Sequence, residues 1–367
     1  MEKEIKSYFL SINDDACVTK GKYASKTDNF LDEIKLWQKD KFVNGKSIRP
    51  LQFTFEITNR CNCNCKDCGM SANSIKAGKT KLELNELYSI VDYLFNCGIP
   101  SYAITGCEPF LEFNNMCKML EYSNGKVDVI KIISNGFWGK DAQTYFQKLN
   151  ECGLKNNKFF VPSIQISIGE QNVDLEYICN IINYYVNNYS NNELHLGIIN
   201  TRQPNEEFSK LEKLYEVYIN KYGVFPKDRI YLTDSYYVNA NINAKEKLNT
   251  LKYSIEDAIE MCDNRFDCSV GKFISPKIFM KCNGDCYPCE VFNLHKDVFI
   301  GNLFKDNLQK IITNLNKNKY VKFIKKFGTK FFQEIIPKDV LKNNYCETSC
   351  YACEFCIKYC EKNKLLR

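Results

Sequence analysis

From residue 51 to about 235 the chain alternates short apolar runs with longer segments of helical period, and this rhythm restricts the possible folds more than any other feature. The runs FTFEIT (53–58), YAIT (102–105), VIKIIS (129–134), SIQISI (163–168), LHLGII (194–199) and RIYLT (229–233) have the length and composition of strands. Between them lie LELNELYSIVDYLFNCG, MCKMLEYSN, AQTYFQKLNECG, LEYICNIINYYVNNY and FSKLEKLYEVYINKYG. Several of these end in Gly or Asn, as helices do. Strand-then-helix units whose strands start roughly 30 residues apart after the first predict a parallel sheet. There are too few units to close an eight-stranded barrel, so an α/β fold with a partial (β/α)6 barrel is expected.

The rhythm stops near 240. The 367 residues are enough for one large domain and a smaller one. The expected organisation is an N-terminal segment over 1–50, with a weak helix at FLDEIKLWQKDKF, then the barrel over 51–240 and a second domain over 241–367. This last opens on another weak helix, NAKEKLNTLKYSIEDAIEM. The formal charge of +6 is the small difference between 50 basic and 44 acidic residues, and nucleic-acid binding is not expected without a concentrated basic patch. The start, MEKEIKSYFLSINDD, lacks a signal-peptide core. No apolar run approaches the roughly 18 residues that span a membrane. A soluble, cytoplasmic protein is expected.

Against that expectation, 20 cysteines stand out. In a reducing compartment clustered cysteines bind metal more often than they form disulfides. With only His195 and His295 in the chain, imidazole-rich sites are disfavoured and thiolate ligation favours iron–sulfur or structural zinc. The spacing C-x3-C-x2-C occurs three times, at Cys61-Cys65-Cys68, Cys282-Cys286-Cys289 and Cys346-Cys350-Cys353. Three thiolates can hold a four-iron cluster and leave one iron open to substrate or cofactor, whereas full ligation needs a fourth cysteine. Cys63 lies inside the first loop, so counting alone does not choose the ligands there. Context distinguishes the copies, because only the first follows a strand of the βα series, where catalytic groups of parallel α/β folds sit. The next strand ends in TGCEPFL (105–111), the third in SNG (134–136), the fourth in QISIGE (165–170) and the fifth in IINTR (198–202). Polar residues therefore gather at one end of the sheet.

Cys61, Cys65 and Cys68, the turn Gly106-Cys107-Glu108-Pro109 and the run Ser134-Asn135-Gly136 together resemble the radical S-adenosylmethionine (radical SAM) enzymes over roughly 51–235. The family has Gly-Gly-Glu-Pro and Thr-Asn-Gly in place of the last two motifs. The resemblance implies that the open iron binds the amino and carboxylate groups of SAM. One electron then cleaves the sulfonium C–S bond, and the 5′-deoxyadenosyl radical removes a hydrogen from the substrate. It further implies that Glu108 accepts from the SAM amino group, and that Ser167, Asn200 and Arg202 contact its ribose or carboxylate. Two positions depart from the family. Asp67 stands where an aromatic residue usually precedes the third cysteine, and Cys107 replaces the second Gly of the turn. The family's Arg after strand four is missing, and Arg202 is the candidate to replace it.

The tail resembles the SPASM extension of radical SAM enzymes that mature peptides and proteins. The matching pieces are Cys262-x5-Cys268, Cys268-x15-Gly284-x4-Cys289 and Cys350-x2-Cys353-x2-Cys356-x3-Cys360, with GNLFKDNLQKII (301–312) between them. The resemblance implies a first auxiliary [4Fe-4S] cluster on Cys262, Cys268, Cys289 and Cys360, and a second on Cys350, Cys353 and Cys356. The usual gap is shortened between Cys353 and Cys356 and no cysteine follows Cys360, so Cys346 is the nearest fourth ligand. Cys282 and Cys286 are surplus and can exchange with an assigned ligand. The single-cluster relative, the twitch domain, and structural zinc remain alternatives.

Of the other residues, Glu290 follows Cys289 and is either a base or a solvated surface residue. Cys107 and Cys179 are hydrogen-atom-donor candidates set against ordinary packing roles. Cys17, Cys97, Cys117 and Cys152 read as plain core or surface residues, and His195 reads as structural. The expected function is hydrogen abstraction from a ribosomally made peptide, giving a thioether, a carbon crosslink or an epimerised residue. Alternatives are a sulfatase-type protein maturase, a small-molecule oxidase and a non-catalytic Fe–S electron carrier. Expected partners are the peptide or protein substrate and a one-electron reductant of flavodoxin or ferredoxin type. Residues 1–50 are short for a complete leader-binding domain, so a separate leader-binding protein is a further candidate.

Overall fold

The computed structural model describes residues 50, 52–63, 65, 78–168, 174–202, 209–236, 253–263, 277–289, 298–346 and 349–365. Within these, the side chains of Asn200, Arg202, Cys262, Cys346 and Cys350 are outside the description, as are Cys68, Cys268 and Glu290 altogether. The expected helix at 30–42 and the boundary near 240 also fall outside it.

The βα series forms as the sequence indicates. In chain order it runs β1 (Gln52–Glu56), α1 (Leu84–Asn96), β2 (Ser101–Thr105), a 3₁₀ turn (Pro109–Glu112), α2 (Phe113–Ser123), β3 (Asp128–Ser134), α3 (Ala142–Glu151), β4 (Ser163–Ile168), α4 (Leu175–Asn188), β5 (His195–Arg202), α5 (Ser209–Tyr222) and β6 (Tyr231–Tyr236). Strands β1 to β6 pair in parallel and in sequence order, the open sheet of a partial barrel. The last two strands start and end later than the apolar runs alone predict, so Asn200 and Arg202 belong to β5 itself and pair with β6.

Parallel strands covered on both faces by helices read as continuous apolar runs, and these do not. In β1, Phe53, Phe55 and the following Ile57 are fully buried in the core shared with the helices, while Gln52, Thr54, Glu56 and Thr58 alternate with them. In β4, Ile164, Ile166 and Ile168 join the same core, and Ser163, Gln165 and Ser167 alternate. Side chains alternate across a strand, so the face away from the helices is a polar lumen. The helices close the other face with apolar stripes such as Ile178, Ile181, Ile182 and Tyr185 of α4. α1 begins with a capping box in which Glu83 and Glu86 each bond the other's backbone amide, and Asp174 caps α4 by accepting from Glu176.

Past β6 come β7 (Tyr253–Ser254), α6 (Ile255–Asp263), β8 (Lys277–Met280), β9 (Asp285–Tyr287) and β10 (Gly301–Asn302). Four helices follow, α7 (Leu308–Lys317), α8 (Lys319–Phe327), α9 (Phe331–Ile335) and α10 (Lys338–Asn343), and then β11 (Tyr345–Cys346) and α11 (Ser349–Lys362). The β8–β9 hairpin extends the main sheet, because β8 pairs in parallel with β1, from Gln52–Lys277 to Phe55–Met280. The Cys-rich tail thus begins against the strand that carries the first thiol loop. β11 pairs with β7, and α11 packs on α6. Among the described residues no helix is long and apolar enough to cross a membrane.

Candidate active site

The first thiol loop stands on a closed stem. Past β1, Asn59 N donates to Thr80 O at 2.9 Å and Leu82 N to Ile57 O at 2.9 Å. The Thr58 hydroxyl donates to Thr80 O at 3.0 Å, and Thr58 and Lys81 form an antiparallel bridge. The segments that flank residues 61–78 therefore meet just past β1. Cys61 and Cys65 are half-buried and Cys63 is buried. Cys63 N donates to Cys61 Sγ at 3.3 Å, and the Cys63 thiol hydrogen-bonds those of Cys61 and Cys65. These bonds lower the Cys61 thiol to about 6 and the Cys65 thiol to about 7, and hold the Cys63 thiol well above its ordinary value.

The turn after β2 is bonded to this stem. Cys107 N donates to Thr58 O and Glu108 N to Arg60 O, each at 3.0 Å. Gly106 has φ +131°, and a Cβ there would lie 2.6 Å from Thr58 O. Only glycine adopts this conformation without strain, and only hydrogen fits beneath the loop stem. Gly106→Ala is accordingly expected to destabilise the protein by about 1–3 kcal/mol and to loosen the junction of turn and loop. A urea midpoint unchanged from wild type would contradict this.

Glu108 is fully buried and ties three segments together. It caps the 3₁₀ turn by accepting from Phe110 N at 3.0 Å. It also accepts from the Ser134 hydroxyl at 2.9 Å and from Asn135 N at 2.7 Å, at the end of β3. Ser134 Oγ in turn accepts from Gly136 N at 3.0 Å and from the Trp138 indole at 3.1 Å. The Trp138 ring, 1% exposed, stacks on Phe110 at 4.6 Å. Burial raises the Glu108 carboxyl to about 7 against the pull of its three donors. A carboxylate offers about four acceptor positions, so one remains.

Asn135 completes the link. Its side-chain amide donates to Asn62 Oδ1 at 2.8 Å and to Cys63 Sγ at 3.2 Å, and lies 3.8 Å from Cys61 Sγ. Ser167, at the end of β4, is half-buried on the lumen face. Glu56, not singled out from the sequence, is 3% exposed at the end of β1 and accepts from Cys282 N at 3.3 Å. Its position on the polar face of the strand immediately before a thiol loop is the signal that would have found it.

The tail cysteines divide into two places. Cys282 and Cys286, in the β8–β9 hairpin, lie fully within the apolar core, and burial raises Cys282 to about 12; Cys289 is half-buried. On α11, Cys353, Cys356 and Cys360 are buried at a spacing of three and four residues, which puts them on one helix face. α11 packs on α6, which carries Cys262, and Cys346 lies on the adjoining β11. Cys179 is buried in the helix layer with its thiol towards Leu214 O, away from the strand ends. His195 is 3% exposed, with its ring edge against Tyr231. Among the described residues no cysteine forms a disulfide and no set of side chains is arranged as a closed metal site.

The donor chemistry nonetheless fits an iron–sulfur centre at the first loop. Reduced thiols stand together at the C-terminal end of a barrel strand, two with a lowered pKa, and thiolates are the ligands of iron–sulfur clusters. Two residues before Cys61, the Asn59 amide is 3% exposed and has no hydrogen-bond partner for either of its polar atoms among the described residues, which is uncommon for a buried polar group.

An open parallel sheet, a thiol loop after its first strand and a buried carboxylate linking the next two strand ends are the arrangement expected of a radical SAM enzyme. The chain is similar to YydG of Bacillus subtilis (strain 168), a protein named for peptide biosynthesis, at 23% identity over 78% of this chain and 84% of that protein. A shorter stretch, 27% of this chain and 23% of the other, is 32% identical to AlbA of the same organism, the antilisterial bacteriocin subtilosin biosynthesis protein. Among solved structures, Streptococcus suis SuiB bound to precursor peptide SuiA is similar, with a TM-score of 0.44 at 15% identity over 83% of this chain and 71% of that one. No family model matches.

Proposed function

We propose that this chain modifies a ribosomally made peptide by SAM-dependent radical chemistry. The observation that carries the reading is the Asn135 bridge, one residue whose backbone amide binds Glu108 and whose side chain binds the thiol loop. It joins the candidate cluster site to the candidate SAM site. Similarity to two proteins named for peptide and bacteriocin biosynthesis supports a peptide substrate.

In this reading Cys61, Cys65 and Cys68 hold a [4Fe-4S] cluster, and Cys63 stays outside the ligand set. When bound, the cluster and SAM supply one-electron cleavage of the sulfonium and a radical able to remove a substrate hydrogen. Everything else falls to the protein. Glu108 offers its remaining acceptor position to the SAM amino group, beside the backbone of Gly106, Cys107 and Pro109. Ser167, Asn200 and Arg202, on neighbouring strands, orient the ribose and carboxylate. The polar lumen admits the substrate side chain, and the loop above it excludes water.

The tail serves as the SPASM domain, over 241–367, behind a barrel over 51–240 and an N-terminal segment over 1–50. Its auxiliary clusters draw on Cys262, Cys268, Cys289 and Cys360, and on Cys346, Cys350, Cys353 and Cys356. The packing of α11 on α6 supports this grouping. Glu290 takes a proton as the substrate is oxidised. The enzyme works in the cytoplasm with a flavodoxin- or ferredoxin-type reductant and a separate leader-binding protein.

Iron counting and product analysis test the reading together. Three clusters give about 12 iron atoms per chain and a single auxiliary cluster about 8. The reduced, reconstituted protein is expected to release 5′-deoxyadenosine. A short peptide encoded beside its gene should lose two hydrogens on crosslinking, or gain one deuteron from heavy water on epimerisation. Absence of 5′-deoxyadenosine leaves only the electron-carrier alternative.

A further inference from the structure

We propose that Glu112 is a positioning residue for the thiol loop, acting through Arg60 and Lys81 to set where the loop presents Cys61 and Cys65. The inference rests on reading that loop as the cluster site. Arg60 immediately precedes Cys61 and is held at two points by one 3₁₀ turn. Its carbonyl accepts from Glu108 N at 3.0 Å, where the turn begins. Its guanidinium pairs with the carboxylate of Glu112, where the turn ends. The other Glu112 oxygen lies 3.6 Å from Lys81 Nζ. Lys81 forms the bridge with Thr58, so it marks the point at which the loop returns. One carboxylate thus receives a cation from each side of the loop stem.

Burial separates this arrangement from an ordinary surface ion pair. The Glu112 side chain is 7% exposed, against 51% for Arg60 and 36% for Lys81. Exposed pairs are screened and contribute little, whereas a carboxylate enclosed by the protein is screened less and fixes the direction of its partners. Removing it takes away the carboxylate that holds the Arg60 side chain towards the turn, while Lys81 keeps only Glu83, at 4.0 Å. Glu108 and Glu112 then have separate tasks four residues apart. Glu108 ties the turn to β3, and Glu112 ties the turn to the loop.

The test uses the full chain, loaded with iron and sulfide and reduced with dithionite. It reads two quantities that belong to the SAM-responsive cluster, the change in its electron paramagnetic resonance signal on adding SAM and the KM for SAM in 5′-deoxyadenosine release. Groups that orient metal-ligand loops typically alter affinity or activity roughly 10–100-fold, and Glu112→Gln should raise the KM for SAM by about that range and shrink the SAM-induced spectral change. Arg60→Ala, at a half-exposed site, should act in the same direction. The double variant should be no worse than the more severe single one, because both remove the same contact. A wild-type KM and spectral change in Arg60→Ala overturn the proposal, as does Glu112→Gln with lower thermal stability and both quantities unchanged. A wild-type protein with no SAM-responsive signal removes the cluster reading itself, and the role of Glu112 with it.

Discussion

Replacing Cys65 with Ala is expected to abolish reductive cleavage of SAM, while replacing Cys63 with Ala leaves most of it intact. The two thiols are two residues apart and in contact, so this contrast is a demanding one. The Cys63 thiol hydrogen-bonds both neighbours, and those bonds lower Cys61 and Cys65 to about 6 and about 7 while Cys63 itself is raised. The C-x3-C-x2-C spacing takes Cys61, Cys65 and Cys68 and passes over Cys63, and metal is bound by thiolate, the form that the Cys63 hydrogen bonds favour at Cys61 and Cys65. Cys65→Ala should also lose about 4 iron atoms per chain, the content of one cluster. Cys63→Ala should keep its iron once loaded. A Cys63→Ala protein without SAM cleavage, beside an active Cys65→Ala protein, would move the ligand set and overturn the assignment of Cys61, Cys65 and Cys68.

Glu108→Ala is expected to harm both stability and SAM cleavage. The substitution leaves Phe110 N, the Ser134 hydroxyl and Asn135 N without their acceptor in a fully buried place. Each orphaned donor costs about 1–3 kcal/mol, so a loss of about 3 kcal/mol or more in urea unfolding is expected. SAM cleavage should fall by at least about tenfold, since Asn135, which reaches the thiol loop, loses its anchor. The same carboxyl predicts a pH dependence. Burial raises it from 4.5 to about 7, so the folded state favours the neutral acid. That contribution is fully present below about 4.5 and is lost as pH rises through about 7, each tenfold difference in proton affinity between folded and unfolded chain being worth about 1.4 kcal/mol. The unfolding free energy of the wild-type protein in urea should therefore fall between pH 5 and 8, on the order of 3 kcal/mol in all. Saturating SAM should offset part of this, because its ammonium favours the carboxylate. In Glu108→Gln the fall should be absent. Parallel pH profiles for the two proteins would show that Glu108 does not set the trend.

The parts of this protein legible in its sequence are those that depend on neighbours in the chain. The apolar run SIQISI marked the strand β4, whose Ile164, Ile166 and Ile168 join the core because side chains of a strand point alternately to its two sides. The helical stripes, the order of the strands and the place of Cys61 and Glu108 at consecutive strand ends follow from the same local patterns. Strand limits were less legible. β5 continues through Asn200 to Arg202, since pairing with β6 extends it beyond its apolar run.

Contacts between residues far apart in sequence needed the tertiary structure. Glu108 was visible as an acid in the turn that ends the second strand, but its burial and its three donors depend on β3 lying beside β2. Arg60 and Glu112, 52 residues apart, carry no mutual signal in a single sequence. Nor does anything local show that Lys277–Met280 pairs with Gln52–Phe55, which places Cys282 against Glu56 at the foot of the thiol loop. By itself the sequence determined the order of the strands and which candidate residues stand at their ends, because periodicity and motif spacing are properties of nearby residues. The tertiary structure alone decided how those residues are held, because the hydrogen bonds and ion pairs that hold them form only where distant segments pack together.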